Sequence, residues 1–177
     1  ALRPDYPEAL SNLGNALHDL GKLSEARASY ERALALRPDF AEASGNLGNV
    51  LHEIGDLNAA VTQFERALAL RPDHAEAENG LGSVLDKKGE FDKAIACFKR
   101  ALALQPDDVE ILNNLGAALQ NSGRFDDAIA RYEQALTLRP NYTEARKNLG
   151  GALHARAGER SGALLRERLK QAAQGRR

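Results

Sequence analysis

Apolar residues recur along most of this chain at the three- and four-residue spacing of an amphipathic helix. Two consecutive stretches show the pattern, with Leu47, Val50, Leu51 and Ile54 in the first and Phe64, Ala67 and Leu68 in the second. Gly55 separates the two stretches and Pro72 follows the second. Glycine favours the left-handed backbone at a helix end, and proline cannot continue a helix. The pattern therefore predicts two helices joined by a tight turn.

The same pair of helices recurs every 34 residues. The period is kept by the prolines, by a Leu-Gly pair and by the turn glycines, at Pro4, Pro38, Pro72, Pro106 and Pro140, at Gly14, Gly48, Gly82, Gly116 and Gly150, and at Gly21, Gly55, Gly89 and Gly123. A fixed period of this length is typical of an array in which each unit buries its apolar face against its neighbours. We therefore predict an all-α fold of stacked antiparallel helical hairpins.

Polar residues at the expected helix starts predict the caps. An acid or amide followed three residues later by glutamate indicates a capping box before each first helix, at Asp5, Asp39, Asp73, Asp107 and Asn141. The second helices are expected to start at Ser24, Asn58, Asp92 and Asp126. Each Leu-Gly glycine lies inside a helix, where it costs roughly 1 kcal/mol relative to alanine. We expect close helix contacts opposite them, at Ala26, Ala60, Ala94 and Ala128.

The residues within one period resemble the pattern of the tetratricopeptide repeat. In the second unit they are Leu47, Gly48, Leu51, Gly55, Ala60, Phe64, Ala67 and Pro72. Four units match, at residues 7–40, 41–74, 75–108 and 109–142, with a remnant of a preceding repeat at 1–6 and a degenerate fifth repeat at 143–177. The usual early tryptophan is replaced by Leu10, Ser44, Glu78, Leu112 and Arg146. The resemblance implies an α-solenoid coiled into a right-handed superhelix, with the first helices on its concave side.

Both ends depart from the repeat pattern. The chain begins inside a unit and contains no methionine, so we expect a fragment of a longer array whose first hairpin exposes an apolar edge suited to self-association. In the fifth unit Arg166 and Leu169 replace the aromatic residue and the alanine, yet an apolar stripe from Ser161 to Gln174 predicts a capping helix. A basic patch for nucleic acid or anionic lipid is the alternative, and the lack of interleaved aromatic residues argues against it. We expect neither a nucleic-acid nor a membrane partner.

Composition and charge favour a soluble globular protein over a membrane protein or a disulfide-rich one. The chain is 43% apolar and 28% charged with a net charge of −1, as expected of a soluble globular protein. No apolar run approaches the roughly 18 residues of a membrane span, and no secretory segment opens the chain, so a cytoplasmic location is favoured. Cys97 is the single cysteine, which excludes an internal disulfide. Because its slot holds Arg131 in the next unit, we expect the thiol to face solvent and to have no role.

No motif predicts catalysis, a cofactor or a metal. The sequence has no phosphate-binding glycine loop and no paired-cysteine motif, so we expect a protein that is not an enzyme. His18 and His52, with Asp86, occupy equivalent positions on successive first helices and admit a zinc site. Neighbouring helix axes lie roughly 8–10 Å apart, which is too far for shared ligands. We interpret the histidines as polar residues of a groove.

Asparagines form the most informative polar series. One slot of the first helix holds Asn12, Asn46, Asn114 and Asn148, interrupted by Gly80, a second holds Asn15 and Asn49, and Asn79 and Asn113 are secondary candidates. By the resemblance they line the concave groove, where a carboxamide can both donate to and accept from a peptide main chain. The arrays of O-linked N-acetylglucosamine transferases look similar. The alternative is that these amides bond within the array.

A second binding mode of the family is the carboxylate clamp. Asn15 and Asn46 match its asparagines, but its basic slots hold Ser11, Glu76 and Gly80, so we do not expect it here. The sequence thus predicts a protein-protein interaction scaffold that binds an extended peptide of a protein partner in its groove. The alternative is the substrate-targeting segment of a larger enzyme of the glycosyltransferase or sulfotransferase type.

Overall fold

The structure, a computed structural model, describes the backbone of residues 6–174 and the side chains of residues 6–159, 161 and 162. In this part the chain forms the helices α1 (Pro7–Asp19), α2 (Leu23–Leu36), α3 (Ala41–Ile54), α4 (Leu57–Leu70), α5 (Ala75–Lys87), α6 (Phe91–Leu104), α7 (Val109–Asn121), α8 (Phe125–Leu138) and α9 (Thr143–Gln174). None of the described helices combines the length and the apolar character of a membrane span.

The chain divides into two compact units. Unit 1 comprises Ala1–Pro106 and holds the hairpins α1/α2, α3/α4 and α5/α6, whereas unit 2 comprises Asp107–Arg177 and holds α7/α8 and α9. Within unit 1 each second helix also packs against the next first helix, and the first helices α1, α3 and α5 contact one another in order. In unit 2, α9 packs mainly on α8. The predicted stacking of helical hairpins is confirmed within unit 1.

The turn glycines behave as the sequence predicts. Gly21, Gly55, Gly89 and Gly123 have φ values of 70°, 93°, 78° and 80°. This left-handed backbone is strained for residues with a Cβ atom, so glycine closes each hairpin.

The predicted capping boxes are wrong by one residue. The N-cap residues of α1, α3, α5 and α7 are Tyr6, Phe40, His74 and Asp108. The reason is visible at Phe40, whose N–H donates to the Arg37 carbonyl at 3.3 Å and closes a turn centred on Pro38 and Asp39. The acid is therefore used in the turn, and of these four N-caps Asp108 is the one that accepts from backbone N–H groups, at 2.8 and 2.9 Å.

The second helices also start earlier than predicted. They begin at Leu23, Leu57, Phe91 and Phe125, so the predicted starts Ser24, Asn58, Asp92 and Asp126 are already helical. Of the four N-cap residues, Asp56 accepts a backbone hydrogen bond, from Ala59 at 3.3 Å. Helix position is thus set by the turn and by packing more than by these side-chain caps.

The glycines inside the first helices pack against aromatic rings of the second helices. A Cβ atom at Gly82 would lie 2.7 Å from the Phe98 ring, and Gly14, Gly48 and Gly116 meet Tyr30, Phe64 and Tyr132 in the same way. The prediction that small alanines lie opposite these glycines is therefore wrong. Ala26, Ala60, Ala94 and Ala128 are fully buried, but the ring is the group that excludes a side chain.

We expect opposite effects from alanine at Gly82 and at Gly150. Gly82→Ala forces the Phe98 ring to move and should lower the free energy of unfolding by about 1–3 kcal/mol. Gly150→Ala meets no atom of a described residue within 4 Å and should raise the free energy of unfolding by up to about 1 kcal/mol through helix propensity. Chemical denaturation followed by circular dichroism measures both, and equal effects at the two sites would contradict the packing argument.

Unit 2 ends in one long helix rather than in a fifth hairpin. Helix α9 continues without a break through Ser161, where the sequence predicts a separate capping helix. The slot of the turn glycine holds Ala157 in this unit, so the position that is left-handed in the other units carries a Cβ atom, and the adjacent Gly158 lies within the continuous helix. The apolar stripe expected beyond Gly162 lies outside the described side chains.

The first hairpin exposes an apolar edge, as the sequence predicts. Leu13 is 48% exposed, whereas its counterparts Leu47 and Leu81 are 4% and 7% exposed because the preceding second helix covers them. Ala9 and Ala16 on the same face of α1 are also exposed. Self-association through this edge remains a prediction.

Candidate interaction surface

Polar residues of α1, α3 and α5 form one continuous surface of unit 1, which we call the first-helix face. On each of these helices, four residues spaced by four, three and four positions lie on one side of the helix. The sets are Glu8, Asn12, Asn15 and Asp19 on α1, Glu42, Asn46, Asn49 and Glu53 on α3, and Glu76, Gly80, Ser83 and Lys87 on α5. On α1 and α3 two amides thus lie between two carboxylates.

A hydrogen-bonded cluster joins the first two repeats at this face. The Tyr30 hydroxyl donates to Asn15 Oδ1 at 2.6 Å, and Asn46 Nδ2 donates to the same oxygen at 2.9 Å. Burial, followed by the charges of Asp19 and Glu42, raises the pKa of Tyr30 to about 12. The hydroxyl therefore keeps its proton and serves as a fixed donor. Asn15 Oδ1 has both lone pairs engaged, while no hydrogen bond to a described residue uses Asn15 Nδ2 or Asn46 Oδ1.

The other amides of α1 and α3 are free. Asn12 and Asn49 are exposed, and no hydrogen bond joins their side chains to a described residue. Asn49 lacks the partners that Asn15 has, because Phe64 carries no hydroxyl and Gly80 no side chain. Gly80 cannot carry one here, since its Cβ atom would lie 2.4 Å from the Phe64 ring. Tyr30 was not among the residues predicted for this surface, although tyrosine in a slot that holds Phe64 in the next repeat was a signal for a polar contact.

The two histidines have different surroundings. His18 Nε2 lies 2.6 Å from Glu53 Oε1, so this pair links α1 to α3. His52 is half-buried, and burial followed by the charge of Lys87 lowers its pKa. His18 is thus held by a carboxylate of the next repeat, and neutral His52 is favoured at physiological pH.

In unit 2 the predicted amides bond to each other. Asn148 Nδ2 donates to Asn113 Oδ1 at 3.0 Å, and Asn113 Nδ2 donates to Glu144 Oε1 at 3.3 Å. Asn113 is buried at 2% exposure. The arrangement differs from that around Asn15 because the equivalent slot holds Ala117, so Asn148 bonds to Asn113 instead.

The remaining predicted amides are half-buried. Asn114 in unit 2 and Asn79 in unit 1 are both engaged in interactions. The backbone carbonyl of Asn79 accepts from the Ser83 hydroxyl at 3.0 Å. The predicted asparagines therefore do not form one uniform ladder.

Cys97 does not face solvent, which corrects the sequence prediction. The thiol is 3% exposed, and its sulfur accepts from Arg100 Nη2 at 3.2 Å. Burial raises the pKa of Cys97 to about 11 against the opposing effect of Arg100, so the unreactive thiol predominates. Arg131 fits the same slot in unit 2 half-buried, because an arginine can bury its aliphatic stem and keep its charge in water.

An ion pair that the sequence analysis missed lies beside this thiol. Glu78 is 5% exposed, and Arg100 donates to its two carboxylate oxygens at 2.6 and 2.7 Å. Glu78 occupies the slot of the missing tryptophan, and Arg100 lies 22 residues later on the second helix of the same hairpin, so their pairing was not apparent from the sequence. The pair fixes the start of α5 to the last part of α6.

Comparison with known proteins identifies the repeats. A model described as TPR repeat matches residues 14–55, and two models described as tetratricopeptide repeat match residues 39–107 and 73–141, and residues 113–175. Among curated protein sequences, no match to the chain is significant.

Solved structures share the fold. A crystal structure of MamA is 30% identical with a TM-score of 0.72, over 80% of this chain and 83% of that one. The fragment "MamA 41-end" from Desulfovibrio magneticus RS-1 is 22% identical with a TM-score of 0.79, over 97% and 96% of the two chains. A chain of the APC/C hetero-tetramer Cut9-Hcn1 is 23% identical with a TM-score of 0.78, over 81% of this chain and 29% of that one.

These findings confirm the predicted fold class, an all-α solenoid of helical hairpins. They also support a protein-interaction scaffold, a role typical of such repeats, which are usually not catalytic. The matches cover most of the chain. The chain belongs to the tetratricopeptide repeat family.

Proposed function

We propose that the first-helix face of unit 1 binds an extended segment of a partner protein through the main chain of that segment. The observation that carries the proposal is the Asn15–Asn46 pair. Its internal hydrogen bond leaves the Asn15 N–H donors and the Asn46 carbonyl acceptor without a partner among the described residues. A peptide unit of an extended segment offers the complementary carbonyl and N–H.

The cluster beneath the pair prepares it for binding. Because Tyr30 and Asn46 both donate to Asn15 Oδ1, the two carboxamides are held before a ligand arrives. A ligand then loses less free energy in ordering them. The exposed amides of Asn12 and Asn49 extend the same chemistry on either side. Such contacts recognise the backbone and tolerate different side chains.

We expect Asn46→Ala to weaken peptide binding while the fold is retained. Loss of one main-chain hydrogen bond is worth about 0.5–1.5 kcal/mol, which corresponds to a roughly 2- to 12-fold rise in Kd. The probe is a 12-residue peptide selected from a random displayed library, with affinity measured by isothermal titration calorimetry. Asn141→Ala is the control because Asn141 is exposed in unit 2.

A second measurement separates backbone recognition from other binding. Methylating single amide nitrogens of the selected peptide should weaken binding at one or two central positions, whereas changing the side chains there should not. Equal affinity of Asn46→Ala and wild type, or of every methylated peptide and its parent, would contradict the proposal.

A further inference from the structure

Charge is distributed unequally between the first and second helices of unit 1. α1 and α3 each contain two carboxylates and no lysine or arginine, and α5 contains three carboxylates and one lysine. α2 and α4 contain equal numbers of acidic and basic residues, and α6 has an excess of basic residues. The first-helix face is therefore acidic on α1 and α3, whereas on α5 Glu76 and Lys87 balance each other, and the chain as a whole is nearly neutral.

Some of the carboxylates on this face already have side-chain partners. Glu8 accepts from Arg37 Nη1 at 2.6 Å, and Glu53 lies 2.6 Å from His18 Nε2. Asp19 and Glu42 are different, because both are exposed and neither forms an ion pair or hydrogen bond with a described residue. No ion pair with a described residue neutralises these two carboxylates.

Asp19 and Glu42 lie on opposite sides of the Asn15–Asn46 pair. The bonds from Asn15 to Asn46 and from His18 to Glu53 show that α1 and α3 run in the same direction. Asp19 is the last residue of α1, while Glu42 is in the first turn of α3. Both charges also act on the Tyr30 hydroxyl beneath the pair. The amide pair is thus bracketed by two unpaired negative charges.

We propose that the segment bound over the Asn15–Asn46 pair is basic, with a lysine or arginine on each side of its central peptide unit, one pairing with Asp19 and the other with Glu42. This inference rests on the proposed function and adds the chemical class of the partner. The amides hold the main chain, and the carboxylates select its flanking side chains. Long-range attraction to an acidic face also speeds the encounter with a basic segment.

The test uses the full chain and the displayed peptide library described above, screened at low ionic strength. We expect the selected peptides to contain lysine or arginine on both sides of a central uncharged stretch. With one such peptide, Asp19→Asn and Glu42→Gln should each raise Kd about two- to fivefold, as exposed charge pairs do. Glu65→Gln is the matched control, because it makes the same change in net charge on α4.

Salt and peptide composition give independent readouts. Raising the ionic strength from low values to about 0.15 M, where the Debye length is about 8 Å, should weaken wild-type binding more than binding by the double variant Asp19→Asn/Glu42→Gln. Selected peptides that are neutral or acidic but still lose affinity with Asn46→Ala would overturn this inference and leave the proposed function standing. Basic peptides that bind with equal affinity to wild type and Asn46→Ala would instead contradict backbone recognition.

Discussion

Replacing Phe64 by alanine is expected to lower the free energy of unfolding by about 3–5 kcal/mol, the cost of a large cavity in a packed core. The Phe64 ring is fully buried. It fills the space above Gly48 in its own hairpin and also lies against Gly80 of the next repeat. Its loss therefore weakens both the α3/α4 hairpin and the contact with α5, and urea denaturation measures the change.

Leu70→Ala is the control for this prediction. Leu70 lies on the same helix but is 42% exposed, so its replacement should change the free energy of unfolding by less than about 0.5 kcal/mol. If the two substitutions lowered the free energy of unfolding by similar amounts, packing of the Phe64 ring would not be what stabilises the contact between these repeats.

Arg100→Ala is expected to destabilise the protein by about 2–3 kcal/mol, because it leaves the Glu78 carboxylate without its two hydrogen bonds. The Glu78 side chain is 7% exposed, whereas the Arg100 side chain is 54% exposed. Water can therefore solvate the arginine but cannot reach the carboxylate. The destabilisation therefore comes from the unpaired glutamate. It should be smaller than the 3–5 kcal/mol expected when a fully buried ion pair is broken, because Arg100 is half exposed.

The reverse change should be far milder. Glu78→Leu removes the buried charge and leaves Arg100 in water, and leucine occupies the same slot as buried Leu10 and Leu112. We expect its free energy of unfolding to stay within about 1 kcal/mol of wild type or to rise. If Glu78→Leu were as destabilising as Arg100→Ala in thermal and urea denaturation, the ion pair itself would be the stabilising element.

The repeat and its turns follow from the sequence because they depend on backbone chemistry. Glycine at Gly55 and its counterparts is required by a left-handed φ, and the apolar spacing fixes which side of each helix is buried. The helix starts were predicted one residue away, since Pro38 and Asp39 form a turn that competes with the cap. Local propensity identified the residues but not which of two local structures they would form.

The side-chain contacts were less predictable because they depend on two repeats at once. Asn15 and Asn49 occupy the same slot, yet only Asn15 meets a tyrosine below it and an asparagine beside it. Cys97 was expected in solvent from the arginine in its slot, but the smaller side chain is buried beside the ion pair of Glu78 and Arg100. A single-position comparison between repeats contains none of this information.

The difference between Tyr30 and Phe64 is one oxygen atom, and both rings fill the same space above a glycine. Repeats that pack in the same way can therefore present different hydrogen-bonding groups at the surface. If the repeats were reordered, each ring would keep the glycine of its own hairpin, but this polar cluster would form only where the repeat with Tyr30 and Asn15 precedes one with asparagine in the slot of Asn46. In such an array, a substitution at a buried residue such as Tyr30 can change which groups the surface above it offers to a partner.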